Sequence, residues 1–234
     1  MVGAFSVHNA RAASLDLAYK GYGLSLGDSR RITGIRLNVI DRRLEQVNGL
    51  NVTLWRARRN AMRRAVINGV AVGLIGPRGR ALNGLLVGGL EVGADRDITG
   101  IALGGIGVGA GRDISGLTIG GIGVGSGGAI TGVALGGIAT GSGREINGLA
   151  VGGIATGSGE GITGIGLGGV ALGAGGKLKG LMASGVAMGS GAGLSGLALS
   201  GVALGAGGRL TGIRASGFAV GSGTGITGLA LSGG

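Results

Sequence analysis

The chain has 234 residues, and 63 of them are glycine, about 27% against roughly 7% in an average protein; it has one proline, no cysteine and a formal net charge of +11. The near-absence of proline excludes collagen, a 44% hydrophobic content excludes a solvated Gly-rich linker, and the lack of thiols excludes disulfide frameworks and thiolate metal sites. Charge and glycine are separated along the chain, because residues 1–81 carry 14 of the 21 basic residues but only 10 of the 63 glycines.

Residues 1–31 are read as an N-terminal cap or irregular first coils, with Phe5, Tyr19 and Tyr22 and the alternating pairs Leu15/Leu17 and Leu24/Leu26. The start, Met1 to His8, has no basic segment followed by an apolar one, so no secretion signal is visible. Its histidine, His8, is the only one in the chain, and His/Cys metal clusters are therefore excluded.

Residues 32–81 form a second, basic segment. Three related openings occur in it, Ile32-Thr33-Gly34-Ile35, Val47-Asn48-Gly49-Leu50 and Ile67-Asn68-Gly69-Val70, and the wider gap between the last two holds an Arg-rich insertion at 55–66. Arg56, Arg58, Arg59, Arg63 and Arg64 stand there beside Trp55 and are candidate contacts for an anionic partner, a polymer or a membrane surface; the plainer alternative is a solvated loop or short helix over the flank. Arg30, Arg31, Arg42, Arg43, Arg78 and Arg80 fall near coil corners and would extend the same basic region. No aromatic platform or zinc finger accompanies them, so nucleic acid is not the expected partner.

Residues 82–234 are a repeat. The motif [ILV]-[TSNK]-G-[ILV] begins at Leu82, Ile98, Ile114, Ile130, Ile146, Ile162, Leu178, Leu194, Leu210 and Ile226, every interval being 16 residues. An unslipped phase of this kind predicts a stacked parallel β-solenoid, all-β, with about nine and a half regular coils (153/16). Counting from the opening residue, glycine holds position 3 in every unit, Gly-Gly or Ser-Gly holds 7 and 8, and 14 to 16 carry glycine and most charges. These clusters predict corners, with a short strand on either side of the Gly-Gly bend. Transmembrane helices are the competing reading of the uncharged stretches within 114–143 and 180–208, and the glycine density disfavours them.

Placing the apolar residues at 4, 6, 9, 11 and 13 inside puts 5, 10 and 12 outside, where Ala102, Gly107, Gly109, Ala134, Ala139 and Gly141 would make a flat candidate interface. Glycine that merely lets a thin coil bend is the alternative there. Position 2 forms a polar edge ladder, with Thr99, Ser115, Thr131, Asn147 and Thr163; its residues either bond the local backbone or match a repetitive surface such as ice. Asp95, Asp97, Asp113, Glu145 and Glu160 share a corner with Arg96, Arg112 and Arg144 and lack the spacing of calcium-binding solenoids. No phosphate-binding loop or catalytic constellation is present, so neither an enzyme, a cofactor nor a small-molecule substrate is expected. The chain stops nine residues into a coil, which reads as an end that stacks on another copy or partner, or as a chain that continues.

Strings such as Gly-Gly-Ile-Gly-Val-Gly-Ala-Gly at 104–111 and Ile-Asn-Gly-Leu-Ala-Val-Gly-Gly at 146–153 resemble those of uncharacterised bacterial Gly-rich repeat proteins over most of residues 67–234. The resemblance implies a non-enzymatic role at the cell envelope or surface, and it carries over no site residues. The expectation is a structural or assembly module that associates with itself or with a larger complex through Gly/Ala faces and open coil edges.

Overall fold

The computed structural model describes residues 14–19, 21–55 and 63–233, and the chain forms two compact units, residues 1–111 and 112–234. All regular structure among the described residues is β, organised as the parallel β-solenoid that the repeat predicts.

The first unit opens with an antiparallel hairpin of β1 (Ser14–Tyr19) and β2 (Tyr22–Gly27). From β2 onward, pairing is parallel through β3 (Arg31–Asn38), β4 (Gln46–Thr53), β5 (Val66–Gly73), β6 (Arg78–Gly88) and β7 (Glu91–Gly104), which also pairs with β8 (Gly107–Ala110). Coil length varies here, yet the position-3 glycines stay in register from Gly23 through Gly34, Gly49, Gly69 and Gly84 to Gly100. The variation is absorbed outside the strands, at the corners.

The second unit alternates longer and shorter strands. The longer ones are β9 (Ile114–Gly120), β11 (Ile130–Gly136), β13 (Glu145–Gly152), β15 (Gly161–Gly168), β17 (Lys177–Ser184), β19 (Gly193–Ser200), β21 (Arg209–Ser216) and β23 (Ile226–Ser232). Between them lie β10 (Gly123–Ser126), β12 (Ala139–Ser142), β14 (Ala155–Ser158), β16 (Ala171–Ala174), β18 (Ala187–Ser190), β20 (Ala203–Ala206) and β22 (Ala219–Ser222). Each strand pairs in parallel with the one two further along, as Ile130↔Ile146 and Thr140↔Thr156 illustrate, so every coil places one long and one short strand on its two walls. The ladder continues through the bend, where the Ile154 amide donates to the Ile138 carbonyl at 2.7 Å. The uncharged stretches 114–143 and 180–208 fall on these strands, and no helix among the described residues is long and apolar enough to cross a membrane.

Glycine at position 3 is a requirement of this stacking. Gly148 has φ +130, and a Cβ built on it would stand 2.1 Å from the Gly132 carbonyl oxygen of the coil before. Only a residue without a side chain accepts both the torsion and the approach.

The core is one file of large residues and several of small ones. Position 1 supplies Ile114, Ile130, Ile146, Ile162 and Leu178, all fully buried, each stabilising by roughly 1.5–3 kcal/mol. Opposite them, position 11 supplies Val124, Thr140, Thr156, Leu172 and Met188, while position 5 holds alanine at 134, 150, 198 and 230 and Thr118, Gly166, Met182 and Arg214 in the other coils. The lumen is narrow: a Cβ on Gly166 would already meet Leu172 Cδ1 and Met182 Sδ at 2.9 Å.

That narrowness reverses the expected orientation of the side chains. Positions 1, 5, 7, 11 and 13 face inward, and the branched residues at 4, 6 and 9 face out. Alternation with period two runs from position 1 through 5 and 7, so the wall that buries Ile130 also buries Ala134 and turns Val133 and Leu135 outward. Ala102 and Ala134, expected on a flat outer face, are fully buried, as are Met182 and Arg214, also expected outside.

Candidate functional site

What the second unit presents to solvent is therefore aliphatic. Along its long-strand wall run Leu117/Ile119, Val133/Leu135, Leu149/Val151, Ile165/Leu167 and Leu197/Leu199, and the bend adds Ile122, Ile138, Ile154, Val170, Val186, Val202 and Phe218. The bend residues are 40–68% exposed, with Ile154 at 50% and Phe218 at 68%. Between the position-6 side chains and the bend lies a groove of about 620 Å³ spanning five coils, lined by Val151, Leu167, Ala183 and Leu199 with the position-8 glycines as its floor. Together these seventeen partly or largely exposed side chains make a contiguous file of apolar residues, and large exposed apolar patches mark interaction sites.

The short-strand wall is the flat one. Of the remaining residues expected there, Gly107 and Gly109 in the first unit and Gly141 in the second are half-buried, and Ala139 is exposed. Position 12 is glycine in every coil of the second unit that reaches it, yet Cβ atoms built on Gly125, Gly189, Gly205 and Gly221 would touch nothing within 4 Å. Internal packing explains the glycines at position 3. It does not explain these.

The polar ladder is single. Thr99, Ser115, Thr131 and Thr163 are exposed and Asn147 half-buried, with Ser115, Thr131, Asn147 and Thr163 in register. In the first unit the same position is an asparagine ladder, Asn83 Nδ2 donating to Asn68 Oδ1 and Asn68 Nδ2 to Asn48 Oδ1, both at 2.8 Å. The hydroxyls most engaged with backbone are elsewhere, at position 13, where Ser190 Oγ lies 2.7 Å from the Gly176 carbonyl and 2.6 Å from that of Gly193 and accepts from the Gly193 amide. These serines clip successive corners together.

Two buried arginines occupy position 5, one in each unit. The fully buried Arg36 on β3 donates from Nη1 to Asp41 Oδ1 (2.5 Å) and Asn51 Oδ1 (2.9 Å) and from Nε to Ser29 Oγ (3.2 Å), with Asp28 at 3.5 Å from Nη2. Arg214 on β21 is equally buried, and none of its three guanidinium nitrogens meets an acceptor. Burial alone pushes its pKa below the usual arginine value.

Of the insertion arginines, Arg63 and Arg64 are described and exposed, while Arg56, Arg58 and Arg59 lie outside the described residues. Arg63 and Arg64 line a cleft of about 420 Å³ with Arg30, Arg42, Arg43 and Glu45. Arg78 stands apart, paired with Glu91. At the charged corner of the second unit Arg144 and Glu160 sit 3.5 Å apart, both largely exposed. No group of three or more His, Cys, Asp or Glu side chains positioned to hold a metal occurs among the described residues. No protein-family model matches the chain, and no curated protein or solved structure is similar to it.

Proposed function

We propose that the protein is a non-enzymatic assembly module, a β-solenoid whose second unit associates with a second copy of the chain through its aliphatic long-strand wall and the adjoining bend. The observation that carries this reading is the outward file of Ile, Leu and Val at positions 4, 6 and 9. A standard interface buries about 800 Å² per partner, and this wall presents apolar side chains along successive coils without rearrangement. Its regular ridges and groove suit an identical ridged wall, since two surfaces with one spacing interlock along their whole length. The glycines of position 12, which packing inside the coil does not require, suit a further close approach at the flat wall.

Sedimentation velocity over a concentration series tests the proposal. Dimers or larger assemblies are expected at micromolar concentration, and the triple variant Ile138→Lys, Ile154→Lys, Val170→Lys is expected to sediment as a monomer with unchanged β circular dichroism. A wild-type protein that stays monomeric throughout would refute self-association.

A further inference from the structure

The first unit holds a second surface of a different kind, and we infer that the cleft formed by Arg30, Arg42, Arg43, Arg63 and Arg64 binds a compact anion dense in phosphate groups. Three chain segments converge on it at one corner of successive coils. The Glu45 and Gln46 amides donate to the Arg30 carbonyl at 2.8 and 3.0 Å, and the Val66 amide donates to the Glu45 carbonyl at 2.9 Å, so the turns before β3, β4 and β5 are stacked by backbone bonds. The turn bearing Arg42 and Arg43 is itself pinned, since both amides donate to Asp28 Oδ1 at 3.0 and 3.3 Å. Asp28 is buried and also faces Arg36, which anchors the cleft to the interior network of the unit.

Four of the five arginines of the cleft, all but Arg43, meet no carboxylate among the described residues. Five arginines face one glutamate, and Glu45 is already engaged with Arg31 at 2.9 Å. Arg43 lies 3.5 Å from Asp28. At the corresponding corner of the second unit Arg144 faces an acid, Glu160, at 3.5 Å. Holding like charges on neighbouring turns is unfavourable unless an anion joins them, and guanidinium groups fit phosphate oxygens two at a time.

The lining also selects the ligand. Among the described residues it holds neither an aromatic ring for a base to stack on nor an apolar wall for a hydrocarbon body, so recognition rests on charge and on guanidinium hydrogen bonds. Its volume of about 420 Å³ lies within the range of small-ligand sites and accommodates two or three linked phosphates. The same chemistry is displayed by a free polyphosphate and by a multiply phosphorylated lipid headgroup.

Titration calorimetry with inorganic tripolyphosphate, and flotation with phosphatidylcholine vesicles with and without a phosphoinositide, test the site and separate the two sources. One-to-one binding of tripolyphosphate is expected, weakened at least a hundredfold in Arg42→Gln/Arg64→Gln, both exposed positions whose side chains hold nothing in the fold. Lys179→Gln/Arg209→Gln, in a separate basic depression of the second unit, is expected to leave it unchanged. Vesicle capture that tripolyphosphate competes away would assign the headgroup as a source, and binding of tripolyphosphate without vesicle capture would assign a soluble one. Binding of neither probe, or equal loss in the two double variants, would overturn the inference.

Discussion

Arg36 and Arg214 occupy the same place in two coils, position 5 with its side chain in the lumen, and the two units treat that charge in opposite ways. In the first unit the neighbouring turns supply Asp28, Asp41, Asn51 and Ser29, and the guanidinium is met on several sides. The second unit repeats too strictly to do so. Around Arg214 the paired positions on β19 and β23 are Ala198 and Ala230, as the 16-residue phase dictates, and no acceptor reaches it. Irregular coils can thus build a polar interior, because their corners differ in length and composition. A regular array can only repeat the interior it has.

Two substitutions sharpen this contrast. Arg36→Met is expected to lower the unfolding free energy of the first unit by about 3–5 kcal/mol, because Asp41 would be left buried without its cation and Asp28 with Arg43 alone. Chemical denaturation followed by circular dichroism measures it, and a loss below 1 kcal/mol would mean that the network carries no net stability. Arg214→Met has the opposite sign. Met182 already fills position 5 two coils earlier, so the replacement removes an unpaired buried charge without opening a cavity and is expected to stabilise by about 1–4 kcal/mol. A destabilised variant would show that Arg214 is satisfied in a way its surroundings do not reveal.

Period and register were legible in the residues themselves, since the ten openings at 16-residue intervals and the glycine at position 3 determine the stacking of coils. The upstream openings at Ile32, Val47 and Ile67 fall into the same register despite the irregular spacing between them. Side-chain direction was not legible by size. Taking the bulkiest residues as core fails when a coil has only two short walls, because the lumen between them has room for one large file at position 1 and for mixed residues, often alanine, at position 5. The signal that would have corrected it was parity: position 1 is large and apolar in every coil, and burying it buries 5 and 7 and exposes 4 and 6. The basic cleft was legible in part, since Arg30, Arg42 and Arg43 could be placed at corners beside the insertion. The Arg36 network was not, because nothing in the spacing of Asp28, Asp41 and Asn51 shows that their turns close over one lumen.

The smallest expected effect bears on the difference between glycine that builds the coil and glycine that shapes its surface. At Gly148 a methyl group would meet both a positive φ and the Gly132 carbonyl, so alanine there must shift backbone. At Gly189 φ is unexceptional and the added Cβ would meet open space, and alanine loses less conformational entropy on folding than glycine. Gly189→Ala is therefore expected to change stability by less than about 1 kcal/mol, and in the stabilising direction. Larger outward residues make the sharper measurement. Gly173→Val and Gly189→Val together are expected to leave the denaturation midpoint of the second unit near that of the wild type while reducing any association made through the flat wall. If the midpoint falls as is expected for Gly148→Ala, the position-12 glycines serve the coil itself, and the flat wall loses its claim to be shaped from outside.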